Sequence, residues 1–116
     1  MNKLLVLFFI IVLAGCQTSK NIYYWGDYSE TAYQYKHEPS AETYQEHMHT
    51  LEEIINTAKS RNKKIPPGIY VELATLYASA EKTDQAKAML QKEQELFPES
   101  AQFIKLVNNK LIGAAL

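Results

Sequence analysis

The chain has 116 residues, with 12 basic and 13 acidic side chains and a formal net charge of −1. That near-neutral balance leaves no basic footprint for nucleic acid, and a single cysteine leaves no internal disulfide to support the fold. The length suits one small domain that helix or sheet packing must stabilise alone.

The sharpest signal comes first. A short head with Lys3 precedes ten unbroken apolar residues, 4–13, and the small pair Ala14-Gly15 stands just before Cys16. A run of that length is too short to span a bilayer comfortably and fits a secretory signal. The ending Leu13-Ala14-Gly15-Cys16 resembles a bacterial lipobox. That resemblance implies cleavage before Cys16, a diacylglycerol thioether on its sulfur and an N-acyl chain on the new terminus; no other cofactor is expected. The alternative is an ordinary signal peptide with a chance cysteine. By resemblance to enterobacterial sorting, Gln17 in place of an aspartate implies transfer to the outer membrane, facing the periplasm. The expected organisation is a signal peptide over 1–15, a lipidated tether over 16–22 and a helical domain over 23–116.

Residues 23–28, Tyr-Tyr-Trp-Gly-Asp-Tyr, form an aromatic stretch, and six of the eight tyrosines precede residue 45 together with the only tryptophan. Two readings stand side by side. The rings seal the open end of a small helical stack, with Trp25 as the main plug, or Tyr23, Tyr24 and Trp25 present a surface to a partner or glycan, since such rings are favoured at interfaces.

From Ser29 onward the pattern is helical. Ser29 caps a short helix over 30–37, and Pro39 ends it. Ser40 caps a second, whose Tyr44, Met48, Leu51, Ile54, Ile55 and Ala58 recur at steps of three and four. The cluster Arg61, Lys63, Lys64 reads as a solvated helix end, where cations suit the dipole, or as a contact for lipid headgroups. Ile65-Pro66-Pro67-Gly68 breaks the chain. A third helix over 67–80 has a wide apolar face of Ile69, Tyr70, Leu73, Ala74, Leu76 and Tyr77. A polar turn follows, with Thr83 or Asp84 as cap. The fourth helix carries Ala86, Met89, Leu90 and Phe97, and Pro98 punctuates. The fifth has an inward stripe of Phe103, Ile104, Val107 and Leu111 opposite Gln102, Lys105, Asn109 and Lys110. No alternating run marks a strand, so the fold class is all-α.

Within residues 67–98, Tyr70, Leu73, Ala74, Tyr77, Ala86, Leu90 and Pro98 match the large–Leu–small–Tyr, Ala, large, Pro spacing of a 34-residue helical-hairpin repeat. The match resembles the tetratricopeptide family. Small residues at Ala74 and Ala86 let the two helices approach, and Leu73, Tyr77 and Leu90 fill the volume around the contact. Glu93 departs from the family, which usually has a small residue there. One repeat cannot bury its own faces, so the resemblance implies a right-handed stack of about five helices, helix five capping it. By the same resemblance, the inner groove is lined by Gly68, Val71, Thr75, Ala78 and Ser79. These small, uncharged residues suit a helix or an apolar segment, from a partner or from residues 23–28 folding back, rather than a chain terminus.

The motifs Tyr23-Tyr24-Trp25-Gly26-Asp27-Tyr28-Ser29, Tyr33-Gln34-Tyr35, Pro66-Pro67-Gly68-Ile69-Tyr70, Glu72-Leu73-Ala74 and Phe97-Pro98-Glu99-Ser100 resemble a small family of uncharacterised Gram-negative lipoproteins. Members stand beside other envelope lipoproteins, one of them like the curli secretion channel, which implies an accessory role in an envelope assembly.

No chemistry is spelled out. His47 and His49 face different sides of one helix, and His37 sits at a helix end, so a shared metal is not expected. Glu52-Glu53 has no implied pocket, and neither a phosphate loop nor a nucleophile elbow is present. The expectation is a non-enzyme without a small-molecule or nucleic-acid ligand, bound to the membrane by its lipid. It is an adaptor for an envelope protein, such as a neighbouring lipoprotein, with Val71, Thr75, Ala78, Tyr23, Tyr24 and Trp25 as candidate contact residues. The alternatives are a structural subunit of a lipoprotein oligomer and a peptidoglycan-associated module.

Overall fold

The computed structural model describes residues 2–3 and 21–113. Cys16 with the rest of the lipobox, most of the signal segment and the tether up to residue 20 lie outside the described residues. Among the described residues from 21 on, five helices follow one another: α1 (Tyr28–His37), α2 (Ala41–Ser60), α3 (Ile69–Ser79), α4 (Thr83–Leu96) and α5 (Ala101–Leu111), the last preceded by a 3-10 turn at Pro98–Ser100. No strand occurs among the described residues, where a single parallel bridge joins Tyr23 to Lys64. No helix among them is long and apolar enough to cross a membrane.

Local chemistry sets the boundaries. Ser40 starts α2 with a reciprocal cap: its Oγ accepts the Thr43 N–H at 3.1 Å while Thr43 Oγ1 accepts the Ser40 N–H at 2.9 Å. Two orphan donors are thereby satisfied. Gly68 caps α3 at φ +94°, a conformation an L side chain rarely adopts. Three helix starts differ from expectation. α1 begins at Tyr28 with Asp27 as N-cap, so Ser29 lies inside the first turn. α3 begins at Ile69, because the two prolines and Gly68 form the turn before it. α4 is preceded by Lys82, which makes no side-chain cap bond; Thr83 and Asp84 are its first residues, where an acid suits the helix dipole.

The core is two linked clusters. Met48, Leu51, Ile54 and Ile55 of α2 meet Ile69, Tyr70, Leu73 and Leu76 of α3. Ala74 of α3, Ala86 and Leu90 of α4 and Ile104 of α5 form the second. Tyr77 and Met89 pack on both. Ala74 and Ala86 are fully buried, as a close helix crossing between α3 and α4 requires. The order of helices is the all-α stack expected, α5 covering the end of the α3–α4 hairpin.

α5 corrects one detail. Its inward side is Ile104, Val107, Asn108 and Leu111, at the i, i+3, i+4, i+7 spacing of a single face. Phe103 lies one residue off that face and is 56% exposed, beside Leu106 at 68%.

α1 differs in kind from the others, since it buries no residue fully. Tyr28 and Tyr35 pack on the first cluster, and polar contacts hold the rest.

Candidate functional site

The aromatic stretch enters the fold by backbone pairing. The Lys64 N–H donates to Ile22 O at 2.9 Å and the Tyr24 N–H to Lys64 O at 3.1 Å. Tyr24 packs on the first cluster, and Arg61 sits over its ring at 5.2 Å. Gly26 turns the chain at φ +47°, where a Cβ would come 3.3 Å from the Tyr24 ring. Trp25 is 39% exposed and meets Tyr28 edge-on at 5.4 Å. Tyr24 and Tyr28 therefore do the sealing, and Trp25 lies outside them.

Beneath Tyr28 is a polar network that links three helices. His47 of α2 is 1% exposed. Its Nε2 donates to Glu72 Oε1 of α3, and its Nδ1 lies 2.9 Å from Thr31 Oγ1 of α1. The Tyr28 hydroxyl donates to Glu72 Oε2 at 2.7 Å, and the rings of Tyr28 and Tyr35 flank the imidazole. Burial would push the Glu72 carboxyl up, but hydrogen bonds from His47 and Tyr28, with the charge His47 can carry, hold it below its ordinary range. Burial, then the bond and charge of Glu72, push the Tyr28 hydroxyl up to about 12.

Hydroxyl, imidazole and carboxylate in a row are the parts of a nucleophilic relay. The surroundings oppose that use. Backbone carbonyls of Asp27 and Tyr28 lie 3.4 and 3.5 Å from the Thr31 hydroxyl, and the open groove it borders is walled by Asp27, Glu46 and Glu53. A developing oxyanion needs fixed donors, and carboxylates repel it. The network instead fastens α1 to the α2–α3 pair, each atom satisfying another.

Glu93 explains its own departure from the repeat spacing. Its side chain is buried on α4, and Oε1 accepts the Gly68 N–H at 2.7 Å. Gly68 has no side chain to cap α3, so a carboxylate from the neighbouring helix serves. Burial pushes this carboxyl up, and the N–H groups of Gly68 and Tyr70 only partly offset it. Among the described residues Glu93 Oε2 has no hydrogen-bond partner.

A family model for a domain of unknown function, DUF4810, matches residues 22–107. The chain belongs to this family. No curated protein matches the chain, and no solved structure does.

In this DUF4810 chain the expected contact residues fall in two places. Val71 and Ala78 are half-buried on the second cluster, which Val107 and Ile112 also cover. Thr75 is exposed, its hydroxyl donating to Val71 O at 3.0 Å. Tyr23, Tyr24 and Trp25 lie instead with the α2–α3 loop through Lys64. Tyr24 and Tyr28 thus pack on the first cluster, whereas Val71 and Ala78 belong to the second. His37 and His49 are exposed, and among the described residues no three metal-ligating side chains converge.

Two features of the DUF4810 fold were not drawn from the sequence. His47 lies four residues before Leu51 and seven before Ile54, so helical spacing alone puts it on the apolar stripe. Leu96, Phe103 and Leu106 are 49%, 56% and 68% exposed; on α5, Phe103, Leu106 and Lys110 follow steps of three and four, the spacing of a packing seam.

Proposed function

We propose that this chain is a lipid-anchored protein of the outer membrane, facing the periplasm, and a non-catalytic adaptor for another protein of an envelope assembly or secretion complex. The observation that carries the reading is the outward ridge of α5. The terminal unit of a helical stack ordinarily turns a polar face to water. Here that face carries Phe103 and Leu106. In a longer array this is where the next helical hairpin would pack, so the occupant is an amphipathic helix of the partner, bound by apolar burial. The lipobox at Cys16 and the apolar run before it support the anchor. The carbonyl- and carboxylate-rich setting of Thr31 supports the absence of catalysis.

The structural-subunit reading has one observation in its favour. In an antiparallel pair of α5 helices centred between residues 104 and 105, Phe103 stands opposite the second copy's Leu106. The apolar ridge can thus pair with its own copy.

A photocrosslinking residue placed at 103 or 106 in cells tests both. A discrete adduct from these positions, absent when the probe replaces Lys36 on α1, is the expected result. An adduct of twice the monomer mass assigns the oligomer. The same adducts from position 36, or none from 103 and 106, would overturn the ridge as a binding face.

A further inference from the structure

Four cations gather at one end of the molecule. Lys59 lies in the last turn of α2, Arg61 is its C-cap, and Lys63 and Lys64 follow. All four are exposed, and among the described residues none is in an ion pair. A helix dipole favours cations only over its last turn, so it does not account for Lys63 and Lys64. The opposite end of α2 has an excess of acid: Glu30, Glu38, Glu42 and Glu46 line one open groove there, against Lys36 and His37 in the last turn of α1. The twenty residues of α2 hold these ends about 30 Å apart. A nearly neutral chain is therefore strongly polarised along its longest helix.

The basic end also has an apolar floor. Tyr23, Ile65, Leu96 and Phe97 line an open groove of about 400 Å³, with Lys59, Lys63 and Lys64 around it. Ile22, beside it in sequence, is 57% exposed. Lysines above apolar side chains match a surface that offers phosphates outside and hydrocarbon beneath. A soluble anion would leave the floor unused, and an apolar helix would leave the lysines unused.

The chain enters the fold at this same end, through the Ile22–Lys64 and Tyr24–Lys64 hydrogen bonds. Ile22 is six positions after Cys16, a reach of at most about 21 Å at full extension. The inference rests on the proposed anchor at Cys16, which would hold this end, and no other, within that distance of lipid. We infer that the basic end of α2, with Ile22 and the apolar groove, docks on the anionic phospholipid surface of the membrane that carries the anchor. α2 then stands on its C-terminal end, with the acidic end turned away.

Trp25, the only tryptophan, lies three residues beyond Ile22 and is exposed, so it reports the docking directly. The membrane-extracted full protein is reconstituted into vesicles of phosphatidylcholine, or of phosphatidylcholine with phosphatidylglycerol, each carrying brominated acyl chains that quench tryptophan. Strong quenching confined to the anionic vesicles and relieved by salt is expected. Each basic residue near such a surface is worth about five-fold in binding, so Lys63→Gln/Lys64→Gln should lower the docked-to-undocked ratio about thirty-fold. Their backbone pairing is untouched. Lys36→Gln/Lys105→Gln, with the same change in charge, should quench like wild type. Flotation reads the anchor separately. A protein that floats with both vesicles yet quenches equally on both, or is unaffected by Lys63→Gln/Lys64→Gln, overturns the docking alone. One that floats with neither overturns anchor and docking together.

Discussion

Replacing Glu93 with alanine sets the two accounts of this position against each other. The repeat spacing asks for a small residue at 93, so on that ground Glu93→Ala should tighten the packing and raise stability. The geometry says the opposite. The substitution removes the acceptor 2.7 Å from the Gly68 N–H at a helix start whose glycine cannot cap itself. A part-buried donor left without a partner costs about 1–2 kcal/mol. One buried methylene, Cγ, contributes about 0.8 kcal/mol. Relief of the cost of holding a carboxyl where burial raises its pKa offsets part of this. The net expectation is a loss of about 1.5 kcal/mol, or roughly 6–12 °C in Tm for a domain of this size. Thermal unfolding at neutral pH, followed by far-ultraviolet circular dichroism, measures it. Glu93→Gln keeps an acceptor for Gly68 and should melt within about 1 kcal/mol of wild type. An alanine variant that melts at or above wild type would refute the capping role and restore the repeat rule.

Ala74→Leu should overpack the α3–α4 crossing and lower stability by about 1–3 kcal/mol, while Thr75→Leu, one residue along and exposed, should not; equal melts for the two would undo the crossing. The Glu72 carboxyl titrates below its unfolded value of 4.5, so its contribution is complete above that pH and fades as pH falls through the lower folded value. The gap in Tm between wild type and Glu72→Gln should accordingly close on acidification from about pH 5; a gap that stays constant to pH 2 would mean Glu72 is not held as an ion. Ser40→Ala removes half of the capping box and should cost about 1 kcal/mol, read as a shift in the denaturant midpoint. Mass spectrometry of the membrane-extracted protein should find Cys16 as an acylated first residue, and a Cys16→Ser protein that is still cleaved and stays on membranes would rule the anchor out.

Where a feature depends on near neighbours in sequence, the residues announce it. Ser40 three places before Thr43, and Leu51 with Ile54, Ile55 and Ala58 behind it, specify α2 almost unaided. Ala74 and Ala86 are legible because a small residue inside an apolar face has few uses other than close approach. The polar core is not legible in that way. His47 sits on the α2 stripe, but its partners Thr31 and Glu72 are 16 and 25 residues away, and nothing local foretells that three helices bring them together. Glu93 reads as a misfit because its purpose is at Gly68, 25 residues back. Phe103 looks like core because it borders Ile104. Which of the two turns inward is decided by where the Pro98–Ser100 turn starts α5, a matter of a single residue and so of 100° around the helix. The same limit applies to the contact residues: spacing marks Val71, Thr75 and Ala78 as one face, whereas their exposure depends on α5.

The fastening of α1 has a consequence for how the molecule opens. Helices α2 to α5 share a continuous apolar core, and breaking into it amounts to unfolding. α1 buries no residue fully and hangs on Tyr28, Tyr35 and the hydrogen bonds to His47 and Glu72. Its amides should therefore exchange with solvent through a separate, cheaper opening than those of α3 and α4. That opening would bare the imidazole of His47 and return Glu72 to water, so acid that protonates Glu72 also loosens α1. The protein thus has two cooperative units of unequal stability, and a single melting temperature reports only the deeper one.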